Sequence, residues 1–245
     1  MFEHIGTRRN FIHNLRLAVL LCFTAGFVNT CGFLAFATLT TNVTGHAAIL
    51  AVKITESDFK GLLVILVWLF LFLAGAFLSS FYIHKVGRDK VYAYTLPMMV
   101  EILILVAITI WGHNYADTMV KHEFFPGSLL FAMGVQNAMV SMVSGSVVRT
   151  THLTGIFTDL GIDLSVWAQS ATTVTTELKK RIYLRLMIIL FFLVGGVAGG
   201  FLYHRLKNFA FLVPAAVLMF TIFYDYFRVR FGRKWVHVMK RKNQV

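Results

Sequence analysis

Two short polar segments, one in each half of the chain, carry residue types suited to binding a solute. They are TTNVTG at Thr40–Gly45 and TTHLTG at Thr150–Gly155, and each lies between a long apolar run and a shorter one. The Thr-Gly pair in each is typical of a helix start, where a hydroxyl caps backbone N–H groups. Free N–H groups at a helix start attract an anion or a carbonyl oxygen. Because the segment occurs twice, we interpret both copies as starts of short helices rather than as plain polar turns.

Amide side chains inside the apolar runs are the second group of candidates. Asn29 and Asn137 fall near the middle of two predicted spans, and Gln136 lies beside the second. Polar groups in hydrocarbon are costly, so they either line a substrate site or hydrogen-bond between helices. The predicted substrate-binding residues are Asn29, Gln136, Asn137, Thr44, Gly45, His46, Arg149, Thr150, Thr151, His152, Thr154 and Gly155.

Charged residues near the second segment predict a gate. Arg149 and His152 add donors for a carboxylate or phosphate, and His46 is the counterpart at the first segment. Asp159 and Asp163 follow at a spacing of four residues, on one face of a helix. They either hold Arg149 in a gate ion pair or face water.

Glu101 lies deep in the apolar run Met98–Trp111. A carboxyl group at that depth is expected to pair with a buried donor or to carry a proton. We predict a proton-coupling or cation site there, so that Glu101, Asp159 and Asp163 are the predicted coupling or gate residues. The chain shows no spacing typical of a metal site, and we predict neither a metal nor a cofactor.

The composition indicates an integral membrane protein rather than a soluble domain. Of 245 residues, 58% are hydrophobic and 14% charged, the mean hydropathy is +0.72, and apolar runs of about twenty residues recur. The net charge of +12 does not indicate nucleic-acid binding, because the basic residues flank the apolar runs. The expected partners are the lipid bilayer and a small-molecule substrate, and a homo-oligomer is compatible with so small a protein.

Six spans are predicted from the need for about twenty apolar residues per crossing. They are residues 15–38, 61–84, 91–111, 128–148, 183–204 and 208–227. The halves match at Gly26–Asn29 and Gly134–Asn137, at the two Thr-Gly segments, at Phe72–Lys85 and Phe192–Arg205, and at Pro97 and Pro214. Three spans per repeat place the two copies in opposite orientations, a plan common among secondary transporters.

We therefore expect an all-α membrane protein with a single membrane domain over residues 1–245. It would contain two inverted three-helix repeats, 11–112 and 126–228, and in each the first helix is followed by a Thr-Gly break and a short helix. Eighteen of the 23 Lys and Arg residues lie at the termini or after the second and fourth spans. By the positive-inside rule, both termini are cytoplasmic in a bacterial inner membrane, with a basic cytoplasmic tail at 229–245.

Two long stretches resemble a known family. AGFVNTCGFLAF with TTNVTGHAAIL, and GVQNAMVSMVSGSVVRTTHLTGIFTDLGIDL, are similar to the YoaK family of bacterial membrane proteins, built on a domain of unknown function. The similarity covers almost the whole chain and is most specific at Gln136–Ala138 and Arg149–Gly155. The first half departs from the family pattern, which usually has Asp in place of Asn29 and Asn in place of His46. The resemblance implies a membrane protein and suggests small-molecule transport, without a substrate.

We predict a transporter, and not an enzyme, that moves a small polar or anionic metabolite through a site at the junction of the repeats. A passive channel is one alternative, and it would not need Glu101. A membrane enzyme acting on lipid or isoprenoid phosphate groups is another, with Arg149, His152, Asp159 and Asp163 at the cytoplasmic face. An accessory subunit without a substrate is the third.

Overall fold

The computed structural model describes residues 11–88, 90–112, 120–169 and 175–225, and these residues form helices and short connections without a strand. The helices are α1 (Phe11–Phe36), α2 (Val43–Thr55), α3 (Phe59–Val86), α4 (Thr95–Trp111), α5 (Phe125–Ser144), α6 (Leu153–Gln169), α7 (Thr176–Leu206) and α8 (residues 212–225). Within α1, Ala18–Cys22 is π-helical. The predicted basic tail, 229–245, lies outside the described residues.

Five stretches of the described chain are long and apolar enough to cross a membrane, so this is a helical membrane protein. They are Phe11–Phe36, Phe59–Val86, Tyr92–Trp111, His122–Ser144 and Thr176–Asp225. The last stretch has 50 residues and contains both α7 and α8, so the fifth and sixth predicted spans fall within it. The shorter apolar helix α2 is not among the five.

The first helix of each half lies at the centre of the molecule. In the most apolar window of α1 and of the stretch that contains α5, 61% and 72% of the residues are buried. In α3 the corresponding share is only 11%. The second helix of the first half therefore leaves most of its apolar surface to lipid, while α1 and α5 form the protein core.

The first close interface joins α1 to α7, which belong to opposite halves of the chain. A Cβ atom added at Gly26 would overlap the backbone carbonyl oxygen of Phe192, and one at Gly195 would overlap that of Phe23. Helices approach this closely in membranes where residues lack side chains. Both glycines therefore permit the crossing.

The second close interface joins α3 to α5, again from opposite halves. Here a Cβ added at Gly134 would overlap the carbonyl oxygen of Phe72, and one at Gly75 would overlap that of Phe131. The two interfaces share one arrangement. Each glycine contacts the carbonyl of a phenylalanine on the opposite helix, and that phenylalanine lies three residues before the glycine of its own helix.

Contacts near the helix ends give the helix directions. The Phe11 and Tyr183 rings, near the starts of α1 and α7, have centroids 5.9 Å apart. Farther along the same two helices, the Cys31 thiol donates to the Gly199 carbonyl oxygen at 3.5 Å. The helices α1 and α7 are therefore parallel.

The helices α1 and α5 run in opposite directions. Phe36, at the end of α1, has its ring centroid 5.8 Å from that of Phe125, the first residue of α5. Gln136, in the second half of α5, donates to the Leu21 carbonyl oxygen in the first half of α1. The first helices of the two halves thus lie antiparallel in the core.

The chain reverses direction between α7 and α8. Lys207 ends α7 with a φ of 52°. Phe211 then stacks on Phe36 at the end of α1, with centroids 6.4 Å apart. At the other end of α8, the Tyr224 hydroxyl accepts a hydrogen bond from Arg16, near the start of α1. Since α7 is parallel to α1, α8 runs back along the molecule.

Candidate functional site

The first polar break, residues 37–42, folds back against α1. Ala37 ends α1 in a left-handed conformation, with a φ of 54°. The Thr41 backbone N–H donates to Asn29 Oδ1 at 3.1 Å. Asn29 lies about two helical turns before the end of α1, so this bond holds the break alongside the helix. We call this hydrogen bond the Asn29 latch.

Asn42, and not a threonine, caps the helix that follows the first break. Its side-chain oxygen accepts a hydrogen bond from the Gly45 N–H at 2.9 Å. A Cβ at Gly45 would overlap that capping side chain, while Thr44 is exposed in the first turn. The predicted helix start is therefore present, but the expectation that a threonine hydroxyl caps it was wrong. The glycine provides room for the capping amide.

His46 lies beneath the first break and is only 4% exposed. Its Nε2 lies 2.8 Å from the Leu39 carbonyl oxygen, and its ring meets the Trp68 ring edge-on at 5.6 Å. A carbonyl oxygen only accepts, so Nε2 carries the proton in the neutral ring and Nδ1 is an acceptor. Nδ1 is buried and has no hydrogen-bond partner within the described part of the chain. Burial lowers the pKa of His46, and the bond to Leu39 opposes this in part.

A cavity of about 560 Å³ opens beside His46. Its lining comes from the end of α1, the first break, the starts of α2 and α3, and residue Glu123 before α5. Apolar and aromatic residues dominate the lining, with Phe33 and Trp68 as the aromatic members. Neither Trp68 nor Glu123 was predicted as a site residue, because their meeting with His46 depends on packing between helices far apart in sequence.

Asp58 caps the start of α3 at the same cavity. Its Oδ1 accepts from the Gly61 N–H at 3.0 Å, and its Oδ2 lies 3.0 Å from Lys53 Nζ. The hydrogen bond from Gly61, followed by the Lys53 contact, lowers the pKa of Asp58. Asp58 therefore presents an ionised carboxylate where an uncapped helix start would present free N–H groups.

The second polar break, residues 145–152, has eight residues where the first has six. Gly145 and Ser146 both take left-handed conformations, each with a φ of 64°. The Ser144 hydroxyl and the Val148 backbone N–H lie 3.1 Å apart and close this turn. Arg149 is exposed within the break, and Thr151 is half-buried.

His152 occupies the position at α6 that Asn42 occupies at α2. A Cβ added at Gly155 would overlap the His152 imidazole, so glycine again makes room for the side chain before the helix. Thr154 is exposed, like Thr44 at the first break. The two Thr-Gly segments therefore share a local arrangement.

The two aspartates of α6 pair with arginines of α7 rather than with Arg149. Asp163, with a side chain only 5% exposed, accepts from Arg181 at 3.1 Å and also pairs with Arg185. Asp159 lies 3.4 Å from Arg185. The suggested gate pair with Arg149 is therefore not formed, and the ion pairs fix α6 to α7.

The amide of Gln136 connects the two central helices. Its Nε2 donates to the Leu21 carbonyl oxygen at 2.9 Å, within the π-helical segment of α1. Insertions of this kind redirect backbone carbonyls and recur at functional sites. Gln136 Oε1 and the neighbouring Asn137 Oδ1 are buried without a partner among the described residues.

Two matching threonines also have unused hydrogen-bonding capacity. Thr40 and Thr150 are both fully buried, and neither hydroxyl has a partner in the described ranges. Most buried polar groups in proteins are hydrogen-bonded, so such groups call for a physical reason. Bound water or a ligand group at these positions would provide the missing partners.

Glu101 is fully buried in α4, as the sequence predicted. Neither carboxyl oxygen has a hydrogen-bond partner among the residues described. The matching residue of the second half, Leu218, is also fully buried. Within the described chain, no group of three or more His, Cys, Asp and Glu side chains could hold a metal ion.

Comparison with known proteins gives one family. A family model described as a protein of unknown function, DUF1275, matches residues 17–224, which include both polar breaks and all the central helices. No curated protein and no solved structure matches the chain. The match confirms the expected family with a domain of unknown function and is consistent with the resemblance to the YoaK family. The chain belongs to the DUF1275 family of proteins of unknown function.

Proposed function

We propose that this protein is a transporter that moves a small polar metabolite across a bacterial inner membrane. The solute would pass between two inverted halves of the chain, with both termini on the cytoplasmic side. Transporters of this plan open alternately to the two sides when the halves exchange conformations around a fixed site. The first break would then face outside and the second would face the cytoplasm.

The glycine crossings support inverted halves. Gly26 matches Gly134 in sequence, and Phe192 matches Phe72, so the α1 crossing and the α5 crossing use matching atoms. In the proposed arrangement, a pseudo-two-fold axis between antiparallel α1 and α5 would relate the two crossings. The recurrence of the same matching pairs at both crossings favours two related halves over chance packing.

The reversal at Lys207 supports six crossings rather than five. The ends of α8 lie at the two ends of α1, next to Phe36 and Arg16 respectively. In addition, Pro97 and Pro214 are both buried and each is the third residue of its helix, after a 3₁₀ turn. The third helix of each half thus begins in the same way.

The proposal depends above all on the unequal state of two matching asparagines. Asn29 Oδ1 accepts from the first break, whereas Asn137 Oδ1 is buried and has no partner in the described chain. Two copies of one element in different states are what alternating access requires, since each copy adopts the other's state when the transporter turns over. In the opposite conformation, Asn137 would hold the second break and Asn29 would release Thr41.

Four buried polar atoms mark the path that we propose. Gln136 Oε1, Asn137 Oδ1 and the hydroxyls of Thr40 and Thr150 are buried and unpartnered among the described residues, and all can accept a hydrogen bond. They suit a polar solute with donors. The expectation of an anion depended on free helix N–H groups and on the donors Arg149 and His152. At α2, the Asn42 side chain occupies the Gly45 N–H.

Glu101 is proposed as the coupling residue. A fully buried carboxyl group without a partner in the described residues is costly, and intramembrane acids of this kind commonly mark proton or cation pathways. A Glu101→Gln protein is expected to lose accumulation driven by a pH gradient while retaining downhill exchange. Unchanged pH-driven accumulation would contradict this role.

Vesicle uptake tests the transport proposal. Purified protein in liposomes would be screened with labelled polar solutes, and an Asn137→Ala protein is expected to lose about tenfold or more of the uptake. Gln169→Ala is the matched control, because it removes an exposed amide that donates to the Ser165 hydroxyl on the same helix. Failure to exceed empty liposomes, or full uptake by Asn137→Ala, would contradict the proposal.

The enzyme alternative is less well supported. Its acids, Asp159 and Asp163, are neutralised by Arg181 and Arg185, which leaves less charge to bind a metal or to act as a base. Arg149 and His152 are exposed at the second break. Among the described residues, neither forms an ion pair with Asp159 or Asp163.

A further inference from the structure

A groove lies between the start of α1 and the end of α8. It has a volume of about 350 Å³ and is lined by Leu15, Arg16, Val19, Leu20, Phe220 and Tyr224. Arg16 is the charged member of this lining, and the other five residues offer aliphatic or aromatic surface. We call it the α1–α8 groove. It combines one cation with an apolar wall.

The Arg16 end of the groove lies at the edge of the hydrocarbon core of the membrane. Gly26 packs against Phe192, which is halfway along the 31-residue helix α7. Arg16 precedes Gly26 by ten residues in α1, so it lies about 15 Å nearer the end of the molecule. This distance is about half the thickness of the hydrocarbon core. The Arg16 guanidinium therefore lies at the depth where lipid head groups begin.

The apolar wall runs from that edge toward the middle of the membrane. On α1, Val19 and Leu20 follow Arg16 by about one helical turn. Because α8 runs opposite to α1, Phe220 lies about one turn deeper than Tyr224, and the two ring centroids are 6.1 Å apart. A charged end at the membrane edge and an apolar wall below it match the two ends of a phospholipid.

The Arg16 side chain is held in place but keeps most of its donors. Its Nη1 donates to the Tyr224 hydroxyl at 2.9 Å, and its guanidinium carbon lies 5.9 Å from the centroid of the Tyr224 ring. Arginine has five N–H donors, and no carboxylate of the described chain pairs with Arg16. Asp225 is only 2% exposed and does not line the groove. A guanidinium held in this way can bind a phosphate through two N–H groups with little further loss of side-chain freedom.

Both helix ends at this groove continue into basic sequence. Arg8 and Arg9 precede α1, and residues 226–245, which follow α8, contain seven Lys and Arg residues and no Asp or Glu. Basic clusters next to a membrane helix favour lipids with a net negative head group. The charge distribution therefore favours an anionic lipid over a zwitterionic one.

We propose that the α1–α8 groove is a binding site for one anionic phospholipid. The lipid phosphate accepts hydrogen bonds from Arg16, and one acyl chain lies along Leu20 and Phe220. The site adds a lipid ligand to the protein and does not depend on the proposed transport function.

Native mass spectrometry of the purified full-length protein in detergent tests the site. The probes are dioleoyl phosphatidylglycerol and dioleoyl phosphatidylcholine, which share a phosphate and both acyl chains and differ in net charge. At equal lipid concentrations, we expect about tenfold more one-to-one complex with phosphatidylglycerol. Equal amounts of the two complexes would overturn the proposal.

Glycerol 3-phosphate separates a lipid from a free phosphate as the ligand. It carries the phosphate but lacks the acyl chains, so it should bind far more weakly than phosphatidylglycerol because it cannot use the apolar wall. Comparable binding of the two would assign Arg16 to a soluble phosphate and overturn the proposal.

A pair of arginine variants locates the head group. Arg16→Gln removes the charge and the paired donors, so the affinity for phosphatidylglycerol should fall about tenfold. Arg205→Gln is the matched control, since Arg205 is exposed near the end of α7, at the opposite end of the molecule, and does not line the groove. Unchanged affinity in Arg16→Gln, or an equal loss in both variants, would overturn the proposal.

A pair of phenylalanine variants locates the acyl chain and decides the matter if Arg16→Gln does not fold. Phe220 and Phe223 are 58% and 53% exposed on α8, so neither side chain is needed for the core, but only Phe220 lines the groove. Phe220→Ala should weaken phosphatidylglycerol binding several-fold, and Phe223→Ala should leave it unchanged. Equal binding by the two variants would overturn the proposal. A loss of dimer mass in Phe220→Ala without a loss of lipid would assign the groove to a second copy of the chain and also overturn it.

Uptake into liposomes separates this proposal from the transport function. Selective binding of phosphatidylglycerol by a protein without uptake would support the lipid site and contradict transport. Uptake by a protein that does not distinguish the two lipids would support transport and overturn the lipid site.

Discussion

The two polar breaks have nearly the same sequence motif but different structures. The first has six residues, is held to α1 by the Asn29 latch, and covers His46 and a cavity. The second has eight residues, leaves Asn137 Oδ1 unpartnered within the described chain, and leads into a helix fixed to α7 by ion pairs. A sequence repeat therefore determines where a helix starts, while packing determines the contacts that each copy makes.

The comparison also shows which parts of the halves are equivalent. The glycine crossings of α1 with α7 and of α5 with α3 use matching residues, whereas the contacts of the short helices α2 and α6 differ. In the proposed transport cycle, the helix crossings would keep their structure, and the two polar breaks would change conformation.

The largest expected effect comes from filling a crossing. Gly26→Ala and Gly134→Ala each place a Cβ on a backbone carbonyl oxygen, which cannot move without shifting a helix. Both should destabilise the protein by about 3 kcal/mol or more, measured as loss of monodisperse protein and of thermal stability. Gly161→Ala is the control, because nothing lies within 4 Å of its added Cβ. A severe effect at one crossing and none at the other would break the equivalence of the halves.

A smaller effect is expected from the ion pairs specific to the second break. Asp163→Asn removes a buried carboxylate that serves both Arg181 and Arg185, and should cost about 2 kcal/mol in thermal or denaturant unfolding. Asp159→Asn removes an acid whose side chain is 53% exposed, so it should cost well under about 1 kcal/mol. Equal costs would mean that burial does not distinguish the two aspartates.

The smallest effect distinguishes the two asparagines. Asn29→Ala removes the acceptor of the Thr41 N–H and should destabilise the protein by about 1 kcal/mol. Asn137→Ala removes an oxygen without a partner in the described residues and should leave unfolding nearly unchanged. Thermal unfolding of both variants checks this, and equal destabilisation would contradict unequal states of the two breaks.

Much of the fold followed from simple sequence patterns. Apolar runs predicted a helical membrane protein, and the resemblance predicted a family that the match over residues 17–224 confirms. Thr-Gly correctly marked two helix starts, because the glycine at N3 leaves room for the capping residue before it. The number of spans and the inversion of the halves stay predictions, supported by the glycine crossings.

The site was harder to predict because its contacts join distant segments. Asp159 and Asp163 are four residues apart, as are Arg181 and Arg185, and this shared spacing was the available signal for their pairing. Proximity in sequence suggested Arg149 instead. The π-helical segment Ala18–Cys22 gave no signal, since its residues are ordinary apolar ones.

Side-specific labelling tests the inversion of the two halves most directly. Single cysteines would replace Thr44 and Thr154, which are exposed at matching positions of the two helix starts, in a background where Cys22 and Cys31 are buried. A membrane-impermeant maleimide should label Thr44→Cys from outside the cell, and Thr154→Cys only in inside-out membrane vesicles. Labelling of both positions from the same side would contradict the inverted arrangement on which the transport proposal depends.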